Sequence, residues 1–361
     1  DLHRRRHSFP TRRSSDLMKS SATDLVNILY GSKETVDNLY VSLVPYVSMV
    51  NIGTSHASWS TGVNAANYSP TTWKGCVFAR TNEETEDTPA VGGGWTPFLW
   101  QSSTDNPWLC TGANAPFSSC RNEMTMSRHR STCGTGGKWS TTGQYNINEN
   151  QCAGNNGSGP NLGCGPAITS LVQSKTTVLN AISGMNSWSR GGTNSLVGLA
   201  WGWRAISPNY QGMWGGSTPA TLPLAYNTPL MQKAVVILTD GNNEWYDYDT
   251  ASSDNYASGM TNYTADMTAF KRPEDNMLGT TNKTTATNTI NTKFSNLCTT
   301  MKNKGIIIYT ITFNLTNTSV QNIWRNCASS PSYYFNSPDS ASLQIAFRTI
   351  GDSLSNLRIS K

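Results

Sequence analysis

Apolar positions are ordered near the start of this chain and through its second half, and lose their period between. From Met18 the run MKSSATDLVNILYG sets Ala22, Leu25, Val26, Ile28 and Leu29 at near-helical spacing and stops at Gly31, a residue suited to a helix C-terminus. This predicts one amphipathic helix. Next, DNLYVSLVPYVSMVNIG alternates Leu39, Val41, Leu43, Val47 and Val50, a strand that passes Pro45 at an edge or a bend. Residues 54 to about 165 then show no sustained period. The stretch is rich in Gly, Trp, Thr and Asn and is too long for a plain loop, so residues 54–164 read as an insertion with short strands.

Order returns at Ile168. SKTTVLNAISGM predicts a helix, and SRGGTNSLVGLAWGWRAISP a Gly-Gly-Thr turn feeding a second helix that ends before Pro208. KAVVILTDG is an apolar strand running into a turn. Residues 242–284 are polar and without period, an insertion on the same sheet edge as that turn. TNTINTKFSNLCTTMKNKG is an amphipathic helix with Gly305 at its end, IIIYTITF a fully apolar strand, SVQNIWRNCAS a short helix and SYYFN a last strand. A helix from about Asp339 to Leu357 closes the chain. Helices alternating with buried strands predict an α/β fold: a doubly wound, mostly parallel sheet with helices on both faces. Trp201 and Trp203, with Leu196 and Leu199, sit at the spacing of a helix face turned into a core.

The first seventeen residues, DLHRRRHSFPTRRSSDL, belong to none of this. His7 to Leu17 reads as a translation of a common sequencing-library adapter, so residues 1–17 are expected to be an assembly artefact standing where the natural N-terminus is missing. The alternative is an Arg-rich tail that binds nucleic acid or anionic lipid. With its five Arg and two Asp set aside, the formal net charge falls from +5 to +2. That balance leaves no basic footprint for nucleic acid.

Only 14% of residues are charged, a profile commoner in exported than in cytosolic proteins. The eight cysteines, Cys76, Cys110, Cys120, Cys133, Cys152, Cys164, Cys298 and Cys327, form no CxxC pair and have almost no His nearby to complete a zinc site. They read as disulfide partners in an oxidising compartment, a bacterial periplasm or cell surface. Cys298 and Cys327 flank IIIYTITF and suit a bridge between the helices on either side of it. No apolar run reaches the ~20 residues of a spanning helix, so membrane attachment is expected only through an N-terminal anchor absent from this sequence.

Two hard oxygen donors stand out. Asp240 follows KAVVILT at the carboxyl end of a strand, where open α/β sheets bind ligands, and Thr193 follows a Gly-Gly turn just before a helix. Together they suit Mg²⁺, or Mn²⁺ or Ca²⁺. The plainer alternative is that Asp240 caps its turn and Thr193 caps the helix of Ser195 to Ile206. Asn194, Asn242, Glu244 and Trp245 lie beside these two and are candidate contacts for a protein partner, as are Tyr246 and Tyr248. His56 and His129, the histidines beyond residue 17, sit in no Ser/His/Asp or HExxH context, which gives a hydrolase little support.

GGTNSLVGLAWGW and VVILTDGNNE resemble blocks of a von Willebrand factor A domain, whose metal-ion-dependent adhesion site uses a D-x-S-x-S loop, a Thr and an Asp after a buried strand. With LVNILYG, NLYVSLVPYVSMVNIG and AFRTIGDSLSNLRISK, they resemble the TadG-like proteins of the bacterial Tad (tight adherence) pilus-assembly system over most of residues 18–53 and 165–361. The resemblance implies an A-type α/β domain outside the cytoplasm, anchored by an N-terminal membrane segment, with Thr193 and Asp240 as metal ligands. It further implies a non-enzymatic adhesion or assembly role, in which the cation offers an open position to an acidic group on a pilus or envelope component or a surface ligand. The chain departs from the pattern in one respect: no D-x-S-x-S is present. A central first strand and three ligands are therefore expected to be missing, with weak metal binding as the consequence. The alternatives are a structural envelope protein with a vestigial site, and a metal-assisted hydrolase using Asp240 and Glu244.

Overall fold

The computed structural model describes residues 12–69, 71–89, 94–101, 106, 149, 159–186, 191–245 and 265–359. In chain order the elements are α1 (Arg12–Tyr30), β1 (Val41–Leu43), β2 (Val50–Asn51), β3 (Cys76–Val77), β4 (Thr169–Val172), α2 (Lys175–Ser183), β5 (Gly192–Thr193) and α3 (Ser195–Ile206). They continue with β6 (Ala234–Thr239), β7 (Glu244–Trp245), α4 (Lys283–Asn303), β8 (Ile307–Phe313), α5 (Thr318–Cys327), β9 (Tyr334–Ser337) and α6 (Ser340–Ile359). Helix starts follow local chemistry. Ser174, Asn194, Asn282 and Asn317 cap α2, α3, α4 and α5, each side-chain oxygen accepting from a backbone N–H of the first turn. Past α1 and α4 the chain turns through Gly31 at φ 57° and Gly305 at φ 77°, a region that costs glycine nothing. α1 begins at Arg12, inside the segment read as adapter text, and Leu17 from that segment packs against the cluster under α6.

The centre is a parallel three-stranded sheet in the order β6-β8-β9. Its two faces can be read residue by residue. Val235, Ile237, Ile306 and Ile308 join the core that holds Leu297, Met301 and Trp324 of α4 and α5. Ala234, Val236, Leu238, Tyr309, Ile311 and Phe313 join the opposite cluster with Leu343, Phe347 and Ile350 of α6 and Ala22 and Leu25 of α1. Helices on both faces explain why both strands are continuously apolar. The remaining strands pair separately and antiparallel: β1 with β4, β2 with β3, and β5 with β7. Among the described residues, these pairings do not join into one doubly wound sheet. The described residues make a mixed α/β fold of small sheets, because no strand among them lies between β1 and β6 to carry the ladder across.

The insertion shares the main core. Trp59, Trp73, Trp95, Phe98 and Trp100 are each at most 5% exposed and pack with Trp201, Trp203, Tyr210 and Trp214. Trp201 lies 4.8 Å from Trp95 between ring centroids, which puts the predicted core face of α3 against the insertion. Cys76 and Cys164 are disulfide-bonded, joining the two ends of the insertion, and Cys298 and Cys327 tie α4 to α5 across β8. Cys110, Cys120, Cys133 and Cys152 lie outside the described residues. The stretch read as a polar insertion, 242–284, also contributes to the core: Ala265, Met267, Ala269 and Phe270 are buried there. Ala265, Met267 and Ala269 alternate, but over a run too short to stand out from the polar stretch around it. No described helix is long and apolar enough to cross a membrane.

Candidate functional site

Asp240 ends up where the strand pattern placed it, at the carboxyl end of β6, with a half-buried side chain. Thr193 is brought beside it: its Oγ1 lies 3.6 Å from the position a Cβ would take on Gly241. β5 and β7 pair Thr193 with Glu244, which fixes the strand holding the threonine against the loop that follows Asp240.

The two cap roles open to these residues are filled by their neighbours. Asn194, not Thr193, is the N-cap of α3; its Oδ1 accepts from Val197 N at 3.3 Å. Thr239, not Asp240, closes the turn after β6, its Oγ1 accepting from Gly241 N at 3.2 Å and donating to Gly241 O at 2.9 Å. The second turn residue of importance is Asn243, which accepts from Ser195 N at 2.7 Å and donates to Asn291 of α4 at 2.8 Å. It pins the loop to the start of α3.

Burial raises the Asp240 carboxyl to about 6, against a smaller lowering by its own backbone N–H. No salt bridge to Asp240 occurs among the described residues. Around it the buried Ser195 Oγ and Asn242 Oδ1 have no hydrogen-bond partner. Tyr46 reaches in from the chain after β1, donating from Oη to Leu238 O at 2.5 Å. Its phenol is held well above the usual range by burial and by the adjacent Asp240 charge, offset in part by the nearby Ser195 and Thr239 hydroxyls. Tyr46 and Ser195 were not legible as site residues. Tyr46 is 192 positions from its partner, and a lone Tyr after a Pro carries no signal of its own.

The neighbouring candidates divide. Asn194 is buried and spent on its cap, and Trp245 is 2% exposed with Nε1 donating to Lys271 O at 2.7 Å. Trp245 thus packs in the core and does not rim the site as expected; the short β5–β7 pairing turns its ring inward. Asn242 and Glu244 remain half-buried at the mouth. Tyr246 and Tyr248 lie outside the described residues.

As a cation site the cluster fits in kind and falls short in number. Asp240 and Thr193, with Ser195 beside them, are hard oxygens of the type Mg²⁺ takes, and the unpartnered Ser195 Oγ and Asn242 Oδ1 are what such a donor set leaves behind without its ion. No group of three or more His, Cys, Asp or Glu assembles among the described residues, however. Catalytic arrangements are also missing among those residues: neither Thr193 nor Ser195 is hydrogen-bonded to a carboxylate or His that could serve as its base.

No protein-family model and no curated protein matches this chain. Among solved structures, it overlaps the pilus adhesin SpaC of Lactobacillus rhamnosus GG at 12% identity and a TM-score of 0.30, over 52% of this chain and 22% of that one; the open conformation of SpaC gives the same values. It overlaps proximal thread matrix protein 1 of the mussel byssus at 18% identity and a TM-score of 0.24, over 51% of this chain and 29% of that one. The chain thus spans about a fifth of the adhesin's length. Overlaps this loose do not decide the architecture.

Proposed function

We propose that this chain is a non-enzymatic adhesion or assembly module of a bacterial surface, of the A-domain type found in TadG-like proteins, and that it binds a protein partner at the mouth of β6. The observation that carries this is the Asp240–Thr193 pair: a half-buried carboxylate with no salt-bridge partner among the described residues, beside a threonine whose capping role Asn194 has taken. Holding a carboxylate out of water with nothing opposite it costs stability, and a bound cation removes that cost. In this reading Asp240 supplies the charge and Thr193 and Ser195 the neutral oxygens. The cation supplies an open position for an acidic group on the partner, Asn242 and Glu244 standing at the rim. The two disulfides support an oxidising compartment.

The second reading, a structural envelope protein with a vestigial site, draws on the lack of any group of three or more such ligands among the described residues. Calorimetric titration with Mn²⁺ separates the two. The adhesion reading expects weak binding that Asp240→Asn abolishes and Thr193→Val reduces. Heat unchanged by both substitutions sinks it. Turnover of a phosphate or ester substrate that Asp240→Asn removes would instead revive a hydrolase.

A further inference from the structure

Lys271 is held in a backbone conformation that its residue type avoids. Its φ is 58°, in the left-handed region where a side chain crowds the neighbouring carbonyl. Asn38, Asn276 and Asn314 take the same region, which Asn tolerates far better than Lys. The turn is closed tightly around it. Lys271 N donates to Thr268 O at 2.9 Å, and Lys271 O accepts from Thr268 N at 3.3 Å, Thr268 Oγ1 at 2.8 Å and Trp245 Nε1 at 2.7 Å. All four bonds use the backbone of residue 271, so a glycine there would make every one of them without the strain. The side chain is the part of Lys271 that the turn does not need.

That side chain stands at a cleft of about 310 Å³ between the insertion and residues 267–275. The base of the cleft is a fixed ladder. Phe78 N donates to Thr96 O at 2.9 Å, Phe98 N to Cys76 O at 2.8 Å and Ala79 N to Ala269 O at 2.8 Å, and Tyr68 Oη donates to Phe98 O at 2.8 Å. Phe78, Pro97 and Leu99 give it an apolar floor, while the exposed Asn67, Lys271 and Asp275 stand on its walls. Lys271 Nζ lies 5.7 Å from the centre of the Phe78 ring and forms no salt bridge among the described residues. Asp275 Oδ2 accepts from Arg272 N at 3.0 Å, and its other oxygen meets no partner among the described residues.

We propose that this cleft binds a short saccharide carrying a carboxylate. A sugar ring has an apolar face of C–H groups and an edge of hydroxyls that both donate and accept. The floor suits the face. The Asn67 amide, which can donate and accept, and the Asp275 carboxylate, which accepts, suit the edge. Lys271 adds what a neutral sugar does not call for, an unpaired ammonium set on a strained turn, and it meets the ligand's carboxylate. The volume lies at the lower end of ligand pockets, which keeps the ligand short. The cleft shares no lining residue with Asp240 and Thr193, so it stands or fails apart from a cation at the mouth of β6.

The test titrates the 361-residue chain with digalacturonate, with its dimethyl ester and with sodium acetate, and reads the backbone amide resonances. Digalacturonate is expected to give saturable shifts at Asn67, Thr96 and Lys271. The ester keeps the shape and loses the charge, and is expected to bind about five-fold more weakly. Acetate is not expected to saturate. Lys271→Gly is expected to weaken digalacturonate binding at least about five-fold while its melting temperature stays at or above the parent's. Lys271→Arg keeps the charge and is expected to hold binding within about two-fold. Asn67→Ala, at an exposed position, is expected to lose at least about two-fold. The inference is overturned if digalacturonate gives no saturable shift at these amides, if the ester binds as tightly as the acid, or if acetate matches both. It is also overturned if Lys271→Gly leaves binding unchanged, or if it melts below the parent, which would make the side chain structural.

Discussion

The ion pair of Arg204 and Glu83 joins α3 to the insertion with neither side chain exposed, and it offers the sharpest test of the packing described above. Arg204 Nη1 lies 2.6 Å from Glu83 Oε2, and its Nη2 donates to the carbonyls of Glu83 and Thr85 at 3.2 Å each. Glu83 Oε1 also accepts from Arg80 N at 2.6 Å and from Trp95 Nε1 at 3.2 Å. The Arg204 guanidinium sits 4.8 Å from the Trp201 ring and 5.1 Å from the Trp95 ring, and the Arg80 guanidinium lies 4.0 Å over that same Trp95 ring. Replacing Glu83 by Gln keeps the volume and strands a buried cation. Breaking a buried pair this way costs about 3–5 kcal/mol, a large share of the 5–15 kcal/mol that holds a typical domain. Removing both charges together leaves no Arg204 cation stranded, although Arg80 N and Trp95 Nε1 still lose their acceptor, so Glu83→Leu with Arg204→Met is expected to cost less than the sum of the single changes. Guanidinium denaturation measures all of these from midpoints at constant slope. Arg348 and Asp24, 60% and 31% exposed, serve as an internal reference, where loss of one partner is expected to cost under about 1 kcal/mol. A Glu83→Gln loss no larger than that of the exposed pair, or strict additivity in the double variant, refutes the reasoning.

Other expectations follow from the site and its supports. The folded Asp240 carboxyl titrates at about 6 against an ordinary 3.8, so folding favours its protonated form. Stability carries no penalty from it below about pH 4, declines as pH rises from 4 to 6, and above that is lower by at most roughly 3 kcal/mol. Asp240→Asn should accordingly equal the parent at pH 3.5 and exceed it at pH 7; equal midpoints at both values contradict the assignment. Gly198→Ala, ordinarily favourable in a helix, should destabilise by about 1–3 kcal/mol because the new methyl meets the Tyr46 ring, and a denaturation midpoint at or above the parent's would show that the ring yields. Opening Cys298–Cys327, whose sulfurs close a span of 29 residues, should cost about 3–4 kcal/mol by loop entropy; a Cys298→Ser, Cys327→Ser variant as stable as the parent would contradict it.

Local chemistry carried much of this molecule. The apolar runs at 234–239 and 307–313 and the helix-spaced runs after residues 174, 194, 282 and 317 depend on neighbours a few positions away, and those strands and helices stand where the pattern put them. The core face of α3 follows from the 3.6-residue repeat that turns Trp201 and Trp203 inward. Asp240 at the strand mouth was likewise legible, because strand direction alone sets which end a following residue occupies.

What the linear pattern could not decide is which polar groups find partners. That Asn194 and Thr239, and not Thr193 and Asp240, take the caps depends on side-chain geometry within a turn. Trp245 reads as a rim residue because it is an aromatic on the loop just beyond Asp240, and it is buried because β7 pairs with a two-residue strand more than fifty positions earlier. Whether the sheet closes is likewise a tertiary matter: β1 and β6 each end their ladders where no described strand stands between them. Periodicity reports the faces of a strand, through the alternation of its side chains. Its edges are filled by backbone groups that every residue carries alike, so only the folded chain shows which of them are met.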